Sequence, residues 1–144
     1  MKILITGGLG FLGSNLAVES INRKNEVIIF DNFSRKHSQK NYEWIKRHNS
    51  FKFYYGDIRS YDDVYNCINT HKPDVVFHVA GQVAMTKSIE RPMYDFEINA
   101  KGTLNILECL NKLCPTSSIF YSSTNKVYGN LNDTLNGEIK YNCI

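Results

Sequence analysis

Apolar residues fall along the chain in two alternating kinds of run. Short runs of strand length, rich in Ile, Val and Phe, alternate with longer segments of helical period, the trace of strand–helix–strand units and a parallel sheet. Lys2–Thr6 reads as a buried first strand, Phe11–Arg23 as a helix, Glu26–Asp31 as a second strand and Phe51–Gly56 as a third. In the third, Phe51, Phe53 and Tyr55 alternate with Lys52 and Tyr54, as expected of an edge strand exposed on one face.

Tyr61–Asn69 follows as a short helix and Asp74–Ala80 as a fourth, fully buried strand. A long helix comes next, with Pro92 in its first turn and its end set by Pro115, which pushes residue 114 out of helical dihedrals. Ser117–Ser123 is a fifth strand. The order βαβαβαβαβ with right-handed crossovers predicts an α/β fold, a doubly wound parallel sheet of Rossmann type that stops after about its fifth strand. From Gly129 onward the periodicity ends. The expectation is one incomplete nucleotide-binding domain over residues 1–129 and a loop or tail over 130–144.

Composition narrows the classes without choosing among enzymes. With 144 residues, 42% hydrophobic and 22% charged, the chain has the make-up of one compact domain. Its net charge of +3 is spread through the sequence, with no Lys/Arg block to suit nucleic acid or an acidic membrane surface. Residues 1–6 lack a signal-peptide pattern and no apolar run has the length of a membrane span, so a cytoplasmic protein is expected. Cys67, Cys109, Cys114 and Cys143 form no Cys-x-x-Cys pair and have no His at metal-ligand spacing. Free thiols and no metal site are the reading.

The chemistry enters between the first strand and the first helix. Thr6-Gly7-Gly8-Leu9-Gly10-Phe11-Leu12-Gly13 satisfies Gly-x-Gly-x-x-Gly and also Gly-x-x-Gly-x-x-Gly. Its place matters more than its spelling, because helix-opening N–H groups, here those around Phe11 and Leu12, and the helix dipole favour a pyrophosphate. In that arrangement Gly7 turns the chain off the strand, Gly10 admits the diphosphate to the backbone, and Gly13 lets the helix approach the sheet.

Asp31 ends the second strand, where a carboxylate accepts both hydroxyls of an adenosine ribose and repels a 2′-phosphate, favouring NAD over NADP. Ser34, Arg35 and Lys36 just beyond it have the chemistry to hold that phosphate instead. Asp57, with the amide of Ile58, stands where it reads an adenine edge or caps the helix that starts near Arg59 or Ser60. His78, between Phe77 and Val79 in a buried strand, reads as a hydrogen-bonded core histidine rather than a base.

With these elements in place the sequence resembles the extended short-chain dehydrogenase/reductase family, which contains sugar-nucleotide epimerases and dehydratases. Three further stretches carry the match: Phe77-His78-Val79-Ala80-Gly81-Gln82, Asn99-Ala100-Lys101-Gly102-Thr103, and Tyr121-Ser122-Ser123-Thr124-Asn125-Lys126-Val127-Tyr128-Gly129. The wording of 31–36, 80–86 and 122–129 narrows the likeness to the 2-epimerases of CDP-linked dideoxyhexoses.

The resemblance implies NAD as cofactor, a nucleotide sugar as substrate, a place in lipopolysaccharide O-antigen biosynthesis, and subunit pairing through the long helix. It also implies that Asn32, Ser34, Arg35, Ala80, Gly81, Gln82 and Asn99 join the glycine loop, Asp31, Asp57 and Ile58 around the cofactor. For Asn99 the plainer alternative is a bond to a neighbouring loop. Thr124 matches the Ser/Thr that hydrogen-bonds the reacting sugar hydroxyl, against the alternative of a strand-end hydroxyl capping backbone. Lys126 suits a substrate phosphate, a carbonyl or water equally.

Two parts of the family's machinery are not expected within the 144 residues. The catalytic Tyr-x-x-x-Lys pair belongs a few tens of residues after Thr124, and the substrate-selecting domain follows it. Tyr42 and Lys46 have the spacing but lie between the second and third strands, so local packing and solvation are their expected roles. Tyr128 and Tyr141 have no Lys four positions on. The resulting expectation is a chain with part of an NAD site and little turnover. A sugar-nucleotide 4,6-dehydratase, a non-catalytic NAD-binding module and a truncated product without function are the competing readings. The dehydratase would need an acidic pair near Thr124, which Thr124-Asn125-Lys126 does not supply.

Overall fold

The computed structural model describes residues 1–48 and 50–123. Within them five parallel strands, β1 (Lys2–Thr6), β2 (Glu26–Asp31), β3 (Lys52–Tyr55), β4 (Val75–His78) and β5 (Ser118–Tyr121), form one sheet in the order β3-β2-β1-β4-β5. Helices α1 (Phe11–Asn22), α2 (Ser38–Ile45), α3 (Tyr61–His71) and α6 (Gly102–Leu113) fill the crossovers. The sheet is the doubly wound one expected. Its order reverses between β1 and β4, and open α/β sheets bind ligands at the strand ends beside that point.

Alternate residues of the central strands feed two cores. Leu4, Ile28, Phe30 and Val76 meet Val64 and Ile68 of α3 and Ile106 and Leu110 of α6 on one face. Ile3, Ile5, Val27 and Ile29 meet Ala17, Val18 and Ile21 of α1 and Ile45 of α2 on the other. Cys67 and Cys109 are buried in the first core, where desolvation pushes the Cys67 thiol up to about 12.

Several local expectations need correction. β3 is an edge strand among the described residues, but it is not exposed on one face. Phe53 packs with Phe33 and Tyr42, while Tyr54 stacks on Phe30 at 5.7 Å on the other side; the exposed residues are the two ends of the strand, Lys52 and Tyr55. β4 is not fully buried: Val76 and His78 are, whereas Val75 and Phe77 are half-buried. On the face of Val75 and Phe77 the helices α1 and α2 pack over β1 and β2, and Phe77 instead stacks on Phe120 of β5 at 5.2 Å.

Two helices had no bounds in the sequence pattern. α2 is one, held by Tyr42 among Phe33, Phe51 and Phe53. The other is α4 (Met85–Glu90), a single exposed turn and a half before Pro92. The long helix itself is not uniform. α5 (Pro92–Phe96) passes through a π-helical stretch, Glu97–Lys101, into α6. No helix among the described residues is long and apolar enough to cross a membrane.

Candidate functional site: a cleft at the sheet's switch point

The C-terminal ends of β1, β2, β3 and β4 open into one cleft of about 130 Å³. Gly7 and Gly10 form one side of it, Asp31, Asn32, Ser34 and Arg35 a second, Asp57 and Ile58 a third, and Ala80, Gly81 and Gln82 a fourth. Eleven of the residues singled out by the sequence thus converge from four separate loops, up to 75 positions apart.

The glycine loop is held by backbone geometry. Gly7 has φ +65°, and a Cβ there would lie 2.7 Å from the Cα of Ala80, so the first glycine permits both the turn and the approach of the loop after β4. Gly13 differs from the expectation. A Cβ on it would strike the loop's own backbone, the Gly7 carbonyl and the Gly8 Cα, rather than the sheet. It lets the loop fold back onto the first turn of α1. Gly10 caps that helix without a side chain, leaving the first-turn N–H groups without intrahelical partners. The side chains of Phe11 and Leu12 point outward, Phe11 being 88% exposed, and neither lines the cleft.

Asp31 accepts from the Leu9 amide at 3.0 Å and the Phe33 amide at 2.9 Å. It therefore ties the glycine loop to the end of β2 while keeping acceptor capacity on both oxygens. Burial pushes its carboxyl up against the pull of those amides. Asn41 of α2 adds a second tie, donating to the Leu9 carbonyl at 2.7 Å.

Asp57 is not the cap of α3. Ser60 is, its hydroxyl accepting from the Asp63 amide at 3.2 Å, while Asp63 accepts from the Asp57 amide at 2.9 Å. The Asp57 carboxylate accepts from the Arg59 guanidinium at 2.7 Å and from Asn32 at 3.0 Å. Arg59 chiefly, and to a smaller degree Asn32, hold its carboxyl below the usual range. Asn105 of α6 donates to the Ile58 carbonyl at 2.8 Å and fixes the loop from behind.

Asn99 does not line the cleft. It sits in the π-helical stretch and grips the loop after β4, accepting from the Gln82 amide at 2.9 Å and donating to the Gln82 carbonyl at 3.1 Å. Arg35 crosses the cleft to that same loop, donating to the Gly81 carbonyl at 3.0 Å and to Gln82 Oε1 at 3.2 Å. His78 is the core histidine expected, buried between Thr6 and Thr103. Tyr42 packs locally, and Lys46 lies over its ring with its ammonium half-exposed.

Thr124 and Lys126, together with Tyr128, Tyr141, Cys143 and the 130–144 tail, lie outside the described residues. Conversely, Lys87 of α4 and Tyr94 and Ile98 of the long helix line the cleft without having been singled out. Their only sequence signal is proximity to the Ala80–Gln82 loop. Neither α4 nor the π-helical stretch has a recognisable pattern of its own.

The family model for GDP-mannose 4,6-dehydratase matches residues 4–141. CDP-paratose 2-epimerase of Salmonella typhi is 50% identical over the whole of this chain, which covers 43% of that protein. A putative UDP-glucose 4-epimerase of Methanocaldococcus jannaschii is 39% identical over 90% of the chain and is covered to 40%. The chain thus spans about two-fifths of the length of these curated relatives. Among solved structures, UDP-glucose 4-epimerase of Stenotrophomonas, with bound NAD and formylated UDP-arabinopyranose, superposes with a TM-score of 0.82 at 28% identity, over 90% of this chain and 39% of that one. The Thermus thermophilus UDP-glucose 4-epimerase complex with NAD gives 0.75 at 30% identity, over 86% and 38%. Sequence match, sheet order and glycine loop agree: the chain belongs to the extended short-chain dehydrogenase/reductase family, the NAD-dependent epimerases and dehydratases.

Proposed function

We propose that this chain is the NAD-binding part of a sugar-nucleotide epimerase that inverts C2 of a CDP-linked sugar. The observation that carries the proposal is the convergence of the glycine loop, Asp31, Asp57 and the Ala80–Gln82 loop on one cleft, in a chain half identical to CDP-paratose 2-epimerase. The donor set fits a dinucleotide: open amides at a helix start for a diphosphate, a carboxylate with spare lone pairs for a ribose diol, and an apolar wall at Ile58 and Ile98 for a base.

When bound, NAD supplies a hydride acceptor that later returns the hydride. The chain's own residues do the holding. Asp31 accepts the adenosine ribose hydroxyls, and the first-turn amides of α1 carry the diphosphate. Asp57 and the Ile58 amide face the base. Gly7 and Ala80, packed closely against each other, line the cleft where the dinucleotide would be held. Thr124 orients the reacting sugar hydroxyl. Deprotonation of that hydroxyl would fall to the family's Tyr-x-x-x-Lys pair, a spacing that residues 125–144 do not contain. In the alternative 4,6-dehydratase, elimination needs an acidic pair that Thr124-Asn125-Lys126 lacks.

The full-length protein, given a CDP-linked 2-hydroxy sugar deuterated at C2, should return the C2 epimer with the deuterium still on C2. Loss of the label to solvent, or elimination at C5–C6 instead of inversion, would refute the assignment.

A further inference from the structure

We infer that Gln82 is a specificity-determining residue, which selects NAD over NADP by holding Arg35 on the wall of the cleft opposite Asp31. This rests on the dinucleotide reading of the cleft. Arg35 lies four positions after Asp31, on the segment that would flank a ribose 2′-phosphate, and a guanidinium there is the natural partner for such a group. Yet among the described residues it forms no bond to Asp31. Its Nη2 instead spans the cleft to the Gly81 carbonyl at 3.0 Å and to Gln82 Oε1 at 3.2 Å.

The acceptor is fixed from several sides. Gln82 is 8% exposed. Its Nε2 donates to the Ala84 carbonyl at 3.0 Å, which leaves Oε1 as the end of the amide that faces Arg35. Its backbone N–H and carbonyl are both held by the Asn99 amide. A rigid acceptor pair of this kind holds an otherwise exposed guanidinium away from the ribose end. Asp31 receives no hydrogen bond from Arg35, whose charge reaches it only through space and more weakly than the amides of Leu9, Phe33 and Asn32, and a carboxylate without a bound cation repels a 2′-phosphate.

The test is a double-mutant cycle on the full-length protein, reading the ratio of the NADP⁺ and NAD⁺ dissociation constants by titration. Because each ratio is internal to one variant, a general weakening of the loop cancels. Gln82→Met keeps the size and removes the side-chain acceptor, leaving Arg35 only the Gly81 carbonyl; the loosened guanidinium should lower the NADP⁺/NAD⁺ ratio by about tenfold, the lower end of the worth of one charge-assisted hydrogen bond. Arg35→Gln alone should leave the ratio within about twofold, a few tenths of a kcal/mol, and the double variant should return to the wild-type ratio. Should Gln82→Met not fold, Gln82→Asn, which withdraws the same amide by one methylene, should move the ratio in the same direction.

An unchanged ratio in the Gln82 variants overturns the inference. So does a gain that survives the loss of Arg35, or an Arg35→Gln variant that by itself weakens NADP⁺. If the wild-type protein binds neither dinucleotide, the reading of the cleft falls and this inference with it.

Discussion

At the scale of single residues the protonation of His78 follows from its neighbours. The Thr103 hydroxyl donates to the Asn99 carbonyl at 2.7 Å, so the 3.0 Å contact between His78 Nε2 and Thr103 Oγ1 requires the proton on Nε2. Nδ1 then accepts from the Thr6 hydroxyl at 2.6 Å, and Thr6 in turn receives the Ala80 amide at 3.4 Å. The ring is neutral, buried and part of a relay joining β1, β4 and the long helix. Desolvation pushes its pKa down to about 4, from 6.5 in the open chain. The unfolded state therefore binds a proton first as the pH falls. The stabilisation is complete above pH 6.5 and is lost progressively towards pH 4. Its size is of the order of 3 kcal/mol. Urea midpoints measured between pH 7 and 4.5 should show that slope, and His78→Asn should flatten it while lowering stability throughout.

At the scale of elements, the irregular helix is what shapes the site. A π-helical stretch at Glu97–Lys101, of a kind often found at functional sites, carries Asn99 against the loop after β4. Asp95 and Ser88 extend the same network into α4: Asp95 Oδ1 accepts from Ser88 at 2.6 Å and from Asn99 at 3.2 Å. Asn99→Leu removes both bonds to Gln82 and leaves its amide and carbonyl without their partner. The expected loss is about 1–3 kcal/mol, with faster hydrogen exchange at the Gln82 amide than at β1 amides as the readout. Equal protection of Gln82 in the variant would show that the loop is held by something else.

At the scale of the whole molecule, the central strands serve two cores, β2 most evenly. Ile28 and Phe30 of β2 enter the core under α3 and α6, while Val27 and Ile29 enter the core under α1 and α2. Ile28→Ala and Ile29→Ala should each cost about 2–5 kcal/mol. Because both cores share β2, each variant should still unfold in one transition, with far-UV and near-UV signals coincident. Separate transitions would mean that the two faces of the sheet fold independently. The same topology locates the cleft, since β1–β2–β3 run one way from the switch point and β4–β5 the other.

The sequence by itself determined the sheet and much of the cleft's lining. Strand and helix periods are local. A glycine loop between β1 and α1 or a carboxylate ending β2 has its meaning fixed by its immediate neighbours, which is why Gly7, Gly10 and Asp31 were readable in advance, whereas Ala80 came only through the family resemblance. The pattern was weaker where burial depends on what lies above a strand. Val75 and Phe77 look like core residues in the sequence but are half-buried. Only the tertiary structure decided the direction of Arg35, the grip of Asn99, the cap of α3 at Ser60, and the entry of Lys87, Tyr94 and Ile98 into the cleft. Arg35 reaches its partners across 46 and 47 positions, and Asn99 reaches Gln82 across 17. A long polar side chain has many hydrogen-bonding choices in an extended chain. Its partner is settled once the sheet has brought four loops to one edge.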